Sequence, residues 1–476
     1  MKITFLVPPP FENKKIPERI FGCSYGIYSI PNIFVLTVAA ILENEQHLVS
    51  YVDSTLKKWK ITHFTEFIQT DDSDIYCIYS VNLSKKTDIF AMNAIRKIKP
   101  TIKMILFGPA PTDMPADYLL DSNVIIIRGE PEQTFKIVVC TLAKNQSINQ
   151  INGISIIHDS EIINNFASEL IQNLDAIPFP ARHLINKNEY YNPKLEKKPF
   201  TAMITSRGCT GQCIYCVPCS SSFARELEYK KYKQCKPPVR MRSVENIIEE
   251  FKLLRQQGYR AVSILDDQFI WGEERTIKIC NGIKNLGIVW GCLARADMIT
   301  NQIAEAMASA GCKYVDIGIE SFNQNVLDYV RKNLKIEQVY EAILLLKKYK
   351  IGVKVNVIFG SSPLETKEMI IGYIKKIKEL KPDIVMFNIA NPFPGTEFYH
   401  IAKKNNWFVY GDYIPVDVAK TAIIHYPHLT NRELEKLVRK ANFEFYLNPH
   451  FILGHLKSIF SRNLLQNLIS LKNKLF

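Results

Sequence analysis

The chain has 476 residues, of which 47% are hydrophobic and 22% charged; this is ordinary globular composition and excludes a mostly disordered or fibrous protein. Lys and Arg outnumber Asp and Glu by 60 to 47, a net charge of +13, so an anionic partner (nucleic acid, a phosphorylated substrate or an acidic membrane surface) competes with a basic surface of no function. No run of about eighteen apolar residues exists, and the start MKITFLVPPPFENKK lacks the long apolar run and cleavage pattern of a signal peptide, so a cytoplasmic chain with reduced thiols is expected.

The first 145 residues alternate strand and helix signals. KITFLV, HLVSYVD, DIYCIYSV, IKMILFG and NVIIIRG read as short buried strands, and NIFVLTVAAILENE, TDIFAMNAIRKIK and EQTFKIVVCTLAK as helices. Such alternation predicts a doubly wound, Rossmann-like parallel sheet over residues 1–145. Ligands of these sheets sit at the carboxyl ends of strands, which here carry Pro8 to Pro10, Asp53, Ser80 to Leu83, Gly108 to Pro111 and Arg128 to Glu130. Residues 146–199 hold a proline-rich stretch, LDAIPFPARHLI, without sustained periodicity, and read as a linker.

A second series of βα signals fills residues 200–400. Its strands are TAMITSR, AVSILDD, WGCLARAD, KYVDIGIES, KVNVIFG and DIVMFNIANPF, separated by amphipathic stretches such as SVENIIEEFKLLRQQG and ETKEMIIGYIKKIKEL. Six βα units fall two short of a closed eightfold barrel, so a partial barrel with its chemistry at the carboxyl ends of the strands is expected. Residues 401–476 read as a helical extension, with Thr430 and Glu433 in capping-box spacing. Its final stretch, 451–476, places leucines every three or four positions, carries several basic residues and has no acidic one. It is either a helix packed on the barrel or a basic amphipathic helix for an anionic membrane face.

Within TSRGCTGQCIYCVPCS, Cys209, Cys213 and Cys216 have CxxxCxxC spacing on a loop that follows the first barrel strand. Three thiolates suit an iron–sulfur cluster that leaves one iron open to chelate a small molecule. Cys219 would complete four ligands for zinc, but structural zinc sites usually pair two separated CxxC elements and no second pair occurs. Buried inert cysteines are the third reading.

The CxxxCxxC motif with Tyr215 before its last cysteine, after the first strand of a partial barrel, resembles the radical S-adenosylmethionine (SAM) superfamily. LDDQF, CLARAD, YVDIGIES, VIFGSSPLET and NPFPGTEFY follow in order at strand ends, as in the branch with an N-terminal cobalamin-binding domain, which the leading ITFLVPPP and the RGEPE at 128–132 also resemble. The resemblance implies that Cys209, Cys213 and Cys216 hold a 4Fe-4S cluster whose open iron binds SAM, and that an electron from an external donor such as flavodoxin or ferredoxin cleaves SAM to methionine and a 5′-deoxyadenosyl radical. It implies that Tyr215 and Gly360 lie near the adenine and that Arg295 meets the SAM carboxylate. Glu320 would hold the ribose or amino group or else pair with Arg295, and Asp266 or Asp267 would point at the same mouth. Cobalamin is expected at Ser80, Leu83, Gly108 and Glu130, with no histidine beneath the cobalt, since none of the nine histidines lies in a DxHxxG pattern.

The implied activity is cobalamin-dependent C-methylation of an unactivated carbon: the radical takes a hydrogen from the substrate, the substrate radical takes a methyl group from methylcobalamin, and a second SAM remethylates the cobalt. The substrate would be a small or lipid-linked molecule, the lipid case going with peripheral membrane contact through 451–476. Oxidative cyclisation or rearrangement is the alternative within the class, and a non-catalytic iron–sulfur protein the alternative outside it. RNA methylthiolation, and with it a nucleic-acid partner, is disfavoured because Cys77 and Cys140 fall inside a strand and a helix, leaving only Cys23 loop-like as a further cluster ligand.

Overall fold

The computed structural model describes residues 1–10, 16–22, 24, 28–448 and 451. Five parallel strands open the chain: β1 (Lys2–Val7), β2 (Leu48–Asp53), β3 (Ile75–Tyr79), β4 (Lys103–Phe107) and β5 (Val124–Ile127). They lie in the order β2-β1-β3-β4-β5, which makes the gap between β1 and β3 the topological switch point. Helices α1 (Ile33–Asn44), α2 (Ile61–Thr70), α3 (Lys85–Ile98), α4 (Pro109–Asp113) and α5 (Pro131–Ala143) connect them. Side chains alternate between two apolar layers, so the strands read as unbroken hydrophobic runs. Phe5, Cys77 and Phe107 enter one layer, and Leu6, Ile78 and Leu106 the other.

The stretch expected as a linker is not featureless. It supplies the antiparallel hairpin β6 (Ile154–His158) and β7 (Glu161–Asn164), which extends the first sheet beyond β5.

The second sheet has six parallel strands in sequential order: β8 (Phe200–Met203), β11 (Ala261–Ile264), β12 (Val289–Ala294), β13 (Cys312–Glu320), β14 (Gly352–Phe359) and β15 (Ile384–Ile389). Between β8 and β11 a two-residue ladder joins β9 (Ser206–Arg207) to β10 (Arg240–Met241). Helices α6 (Ser220–Lys233), α7 (Val244–Gln256), α8 (Glu273–Ile283), α9 (Asn301–Ser309), α10 (Gln324–Tyr329), α11 (Ile336–Lys348) and α12 (Lys367–Leu380) link the strands, and α13 (Glu397–Lys404) follows them. The result is a partial barrel. The outward residues of β13 and β14, including Val315, Ile317, Val353 and Val355, pack in the apolar layer under the helices. Their alternates Tyr314, Asp316, Gly318 and Glu320, with Lys354 and Asn356, line the concave inner face.

The last helix, α14 (Asn431–Tyr446), starts at Thr430, whose side chain and that of Glu433 form the expected capping box. It packs on α12 and β15, and the Tyr446 hydroxyl bonds to the backbone of Val385. Residues 405–430, expected within a mainly helical extension, are instead irregular, with isolated bridges pairing Phe408 with Ile424 and Tyr426 with Leu429. The basic stretch 451–476 lies outside the described residues except for Phe451, which packs on Phe445 and Tyr446. Cys23 lies outside them as well.

The carboxyl edge of the first sheet faces the barrel. Tyr79, at the end of β3, shares a hydrogen bond with Ser220 of α6. Ala202 of β8 and Leu265 after β11 complete the apolar layer of the N-terminal sheet.

Candidate active site

The segment between β9 and α6 carries the cysteines, and Asp267 ties both its ends. The Asp267 carboxylate accepts from the backbone N–H of Gly208 at 3.2 Å and of Cys219 at 3.0 Å. Cys209, Cys213 and Cys216 are half-buried. A side chain on Gly211 would point between the Cys209 and Cys213 thiols, at 3.4 and 3.9 Å, with the Arg295 guanidinium at 3.8 Å. Burial pushes the Cys209 and Cys216 thiols above the ordinary cysteine range, so metal binding must displace protons from them.

Cys219 stands apart. It precedes α6, is buried in the apolar layer of the N-terminal sheet, and meets the Ser222 hydroxyl. Among the described residues no three Cys, His, Asp or Glu side chains come close enough to clasp a single metal ion, so a tetrahedral zinc site is not assembled. A four-iron cube takes one thiolate per corner iron and so needs its three thiols further apart than the ligands of one ion.

Positive charge surrounds the loop. Lys236 donates to the Gly211 carbonyl at 2.7 Å, and Lys332 pairs with Glu320 at 3.0 Å. Burial works against the Lys332 ammonium, yet Glu320 and the nearby Cys213 hold its pKa above the usual lysine value. The Tyr215 hydroxyl is buried beside Glu320, Cys213 and Cys216 and makes no hydrogen bond of normal geometry among the described residues. An orphaned hydroxyl, three thiols and a ring of cations form a donor set that fits an anionic cluster with a zwitterionic ligand.

Glu320 sits at φ +67°, at a bulge where the register between β13 and β14 shifts. A non-glycine residue held there is strained, and such strain collects at functional sites. The expected alternative pairing of Glu320 with Arg295 is not made. Arg295 instead forms a bidentate pair with Asp297 at 3.0 and 2.9 Å and donates to the carbonyls of Lys332 and Asn333.

Asp266 and Gly360, expected near SAM, make these contacts within the protein. Asp266 is fully buried and accepts from the backbone and hydroxyl of Thr205 and from Ser206; burial raises its carboxyl to about 6. Gly360, at φ +76°, leaves room for Leu434 of α14, whose methyl groups lie 3.0 and 3.1 Å from where a Cβ would stand. Glycine there makes room for α14.

In the first sheet the Ser80 hydroxyl is buried between Asp88 at 2.6 Å and Tyr118 at 2.8 Å. Gly108, at φ +106°, lies so close to the Ser80 carbonyl that a Cβ would stand 2.5 Å from it, and α4 beyond it is packed under α6. Only Leu83 keeps its side chain partly open. Glu130 is an ionic hub joining the two halves of the chain. It pairs with Arg207 of β9, with Arg240 of β10 at 2.8 Å, and more distantly with Arg225 of α6 at 3.8 Å. Burial opposes its charge, but these guanidiniums draw the carboxyl down to about 2. Its neighbours behave alike: Arg128 pairs with Glu228 and Glu132 with Arg207. The charged side chains after β5 are thus engaged in docking to the barrel, while Ser80 and Gly108 contact residues of their own sheet. What the first sheet still offers a large planar ligand is its carboxyl edge near the switch point, pressed against the barrel mouth.

A cleft of about 520 Å³ opens on the flank of the cysteine loop, lined by Thr210, Gln212, Gln268, Trp271, Arg295 and Arg331. Sequence reading missed Lys236, Lys332 and the bracing role of Asp267. The first two sit in runs of ordinary surface-like charge, and only tertiary packing turns them toward the thiols. Among the described residues no helix is long and apolar enough to cross a membrane.

Comparison with known proteins agrees with this geometry. The model of the radical SAM superfamily matches residues 203–377. An uncharacterised methyltransferase of Pyrococcus horikoshii is 30% identical over 472 residues, spanning 97% of this chain and 95% of its own. Among solved structures, the radical SAM methyltransferase TsrM of Kitasatospora setae, with tryptophan substrate and a SAM analogue bound, superposes with a TM-score of 0.66 at 14% identity, over 85% of this chain and 76% of its own. The cobalamin-dependent SAM radical enzyme OxsB, with aqua-cobalamin and SAM bound, superposes with a TM-score of 0.69 at 16% identity, over 98% of this chain and 70% of its own. At these identities the two structures establish a shared fold.

Proposed function

Because the chain belongs to the radical SAM superfamily, in the branch with an N-terminal cobalamin-type sheet, we propose that it is a cobalamin-dependent methyltransferase acting on an unactivated carbon of a small molecule. One observation carries this reading: a braced three-cysteine loop at the mouth of a six-stranded open barrel that faces the carboxyl edge of a β2-β1-β3-β4-β5 sheet. Methyl transfer is favoured over cyclisation or rearrangement by the methyltransferase name of a relative that spans nearly the whole chain.

When bound, the cluster and its electron supply reductive cleavage of SAM to methionine and a 5′-deoxyadenosyl radical, and cobalamin supplies the methyl group. Cys209, Cys213 and Cys216 would hold the cluster and Asp267 keeps their loop closed. Lys332 and Glu320 would meet the carboxylate and amino group of SAM, an ion pair that opens to receive a zwitterion. Arg295, already bonded to Asp297, would hold the loop after β13 in place through the carbonyls of Lys332 and Asn333. Tyr215 would offer its orphaned hydroxyl to SAM. Cobalamin would lie between the switch-point edge and the barrel's inner face, which keeps bulk water from the radical. The electron donor is external, a flavodoxin or ferredoxin.

The test is anaerobic reconstitution with iron, sulfide and cobalamin. The protein should retain a corrinoid through gel filtration, with no imidazole signature in its spectrum, and release 5′-deoxyadenosine from SAM under reduction. Failure to release 5′-deoxyadenosine above the level of the Cys213→Ala variant overturns the enzymatic reading; absence of bound corrinoid overturns methyl transfer through cobalt. The basic stretch 451–476 suggests a peripheral membrane contact, which co-sedimentation with anionic liposomes at low salt would detect and truncation after residue 450 would abolish.

A further inference from the structure

Deep on the barrel's inner face, away from the cysteine loop, two lysines share one carboxylate. Asp316 of β13 accepts through one oxygen from Lys194 at 3.2 Å and from Lys354 of β14 at 3.0 Å. Its other oxygen is buried without a hydrogen-bond partner among the described residues. Lys194 comes from the stretch just before β8, which plugs the amino-terminal end of the barrel with Tyr190 and Leu195. Its ammonium stands 3.8 Å from the Tyr314 ring centroid, and the Tyr314 hydroxyl is fixed by Ser263 at 2.9 Å and Asn192 at 3.3 Å. Tyr28 is half-buried near the Lys194 ammonium.

The charges do not balance. Asp316 is the one carboxylate among the described groups that act on either lysine. Burial, with repulsion from Lys194, pulls the Lys354 pKa below the usual lysine value. A buried excess cation is costly unless a ligand compensates it. Neither side chain is sealed off: Lys194 and Lys354 keep 12% and 19% of their side-chain surface open. The position also has a scale. Asp316 and Glu320 lie four residues apart on β13, about 13 Å at the rise of a strand, so this floor faces the SAM end of the barrel across the length of a small organic molecule.

We propose that Lys194 and Lys354 form an oxyanion-binding floor, held in register by Asp316, that anchors a carboxylate or phosphoryl group of the substrate about 13 Å from the Glu320 end, so that the reacting carbon lies toward the cysteine loop. The inference rests on the radical SAM reading for its direction, and it names the substrate class as a small organic anion. The same chemistry could serve an anion of a cofactor, the SAM carboxylate or the phosphodiester of cobalamin, and the test separates these sources.

Inorganic phosphate and acetate are titrated, with methyl acetate as the uncharged control, into the intact protein loaded with the cluster, with and without cobalamin and with and without saturating SAM, following the thermal midpoint. Both anions should raise it and methyl acetate should not. The shift should persist with SAM bound. Lys354→Met and Lys194→Met should raise the required phosphate concentration about tenfold or more, while Lys354→Arg restores most of the response and the exposed-site change Lys404→Met has no effect. Equal titrations for wild type and both lysine variants overturn the floor. A shift seen only before SAM or cobalamin is loaded assigns the anion to that cofactor and overturns the substrate reading. 5′-Deoxyadenosine release by the wild type is scored separately, so a failure of the radical reading leaves the anion titration interpretable.

Discussion

Asp267 and Cys219 show how much a single side chain decides in the cysteine loop. Asp267 closes the loop through two N–H bonds to a carboxylate, each worth about 1.5–3 kcal/mol. Asp267→Ala should therefore retain well under half of the wild-type iron after gel filtration, with Asp267→Asn intermediate. Cys219→Ala should keep about four irons per chain while Cys213→Ala loses them; equal loss in both would mean that Cys219 is a ligand. Glu365 gives a pH signature. It is buried, accepts from the N–H groups of Gly360 and Ser361, and burial raises its carboxyl to about 8 from 4.5. The folded state thus holds a proton that the unfolded state has released. The stabilisation is complete below about pH 4.5 and declines as pH rises toward 8, a change on the order of 4 kcal/mol. Denaturation of Glu365→Gln at pH 5 and pH 8 should show a smaller difference than wild type.

At the scale of elements, the alternation along β13 and β14 is the most informative pattern in the sequence. Parallel strands covered on both faces usually run apolar throughout, yet YVDIGIE and GVKVNVIF alternate polar with apolar residues. That period of two marks the inner face and was legible without coordinates, as was the six-strand order, because sequential βα units leave little topological choice. Side-chain partnership was not legible. Nothing in sequence spacing distinguishes Lys332 from Arg295 as the partner of Glu320, since the bulge that aims Glu320 depends on the register with β14. Nor did the pattern reveal that Gly360 faces α14, a helix some seventy residues away in the chain. Gly360→Ala should cost about 1–3 kcal/mol, from the positive φ and the contact with Leu434, and appear as an earlier denaturation midpoint. If Leu434→Ala made in the same chain recovers none of this loss, the contact is not the cause.

At the scale of the whole molecule, the RGEPE segment, where a cofactor contact was expected, joins the two halves. Its charges carry no mark of their partners, which lie about a hundred residues away on α6, β9 and β10. Glu130→Gln leaves Arg225 and Arg240 buried against a neutral group, while Arg207 keeps Glu132, and should cost about 3–5 kcal/mol in urea denaturation. In the wild type the stabilisation by Glu130, whose carboxyl is held at about 2, is present above pH 4.5 and is lost as the pH falls through 2. The hairpin β6–β7 escaped the sequence reading because each strand is short and its pairing is set by β5. The ionic hub has a consequence for how such chains can recombine. The two halves look like interchangeable modules, but each carries half of a buried charge ledger: Arg128, Glu130 and Glu132 on one side and Arg207, Arg225, Glu228 and Arg240 on the other. A graft of the first sheet from a distant relative would inherit the wrong complement unless α6 and the β9–β10 ladder travel with it. A crossover in the connecting stretch before the barrel would therefore separate these partners.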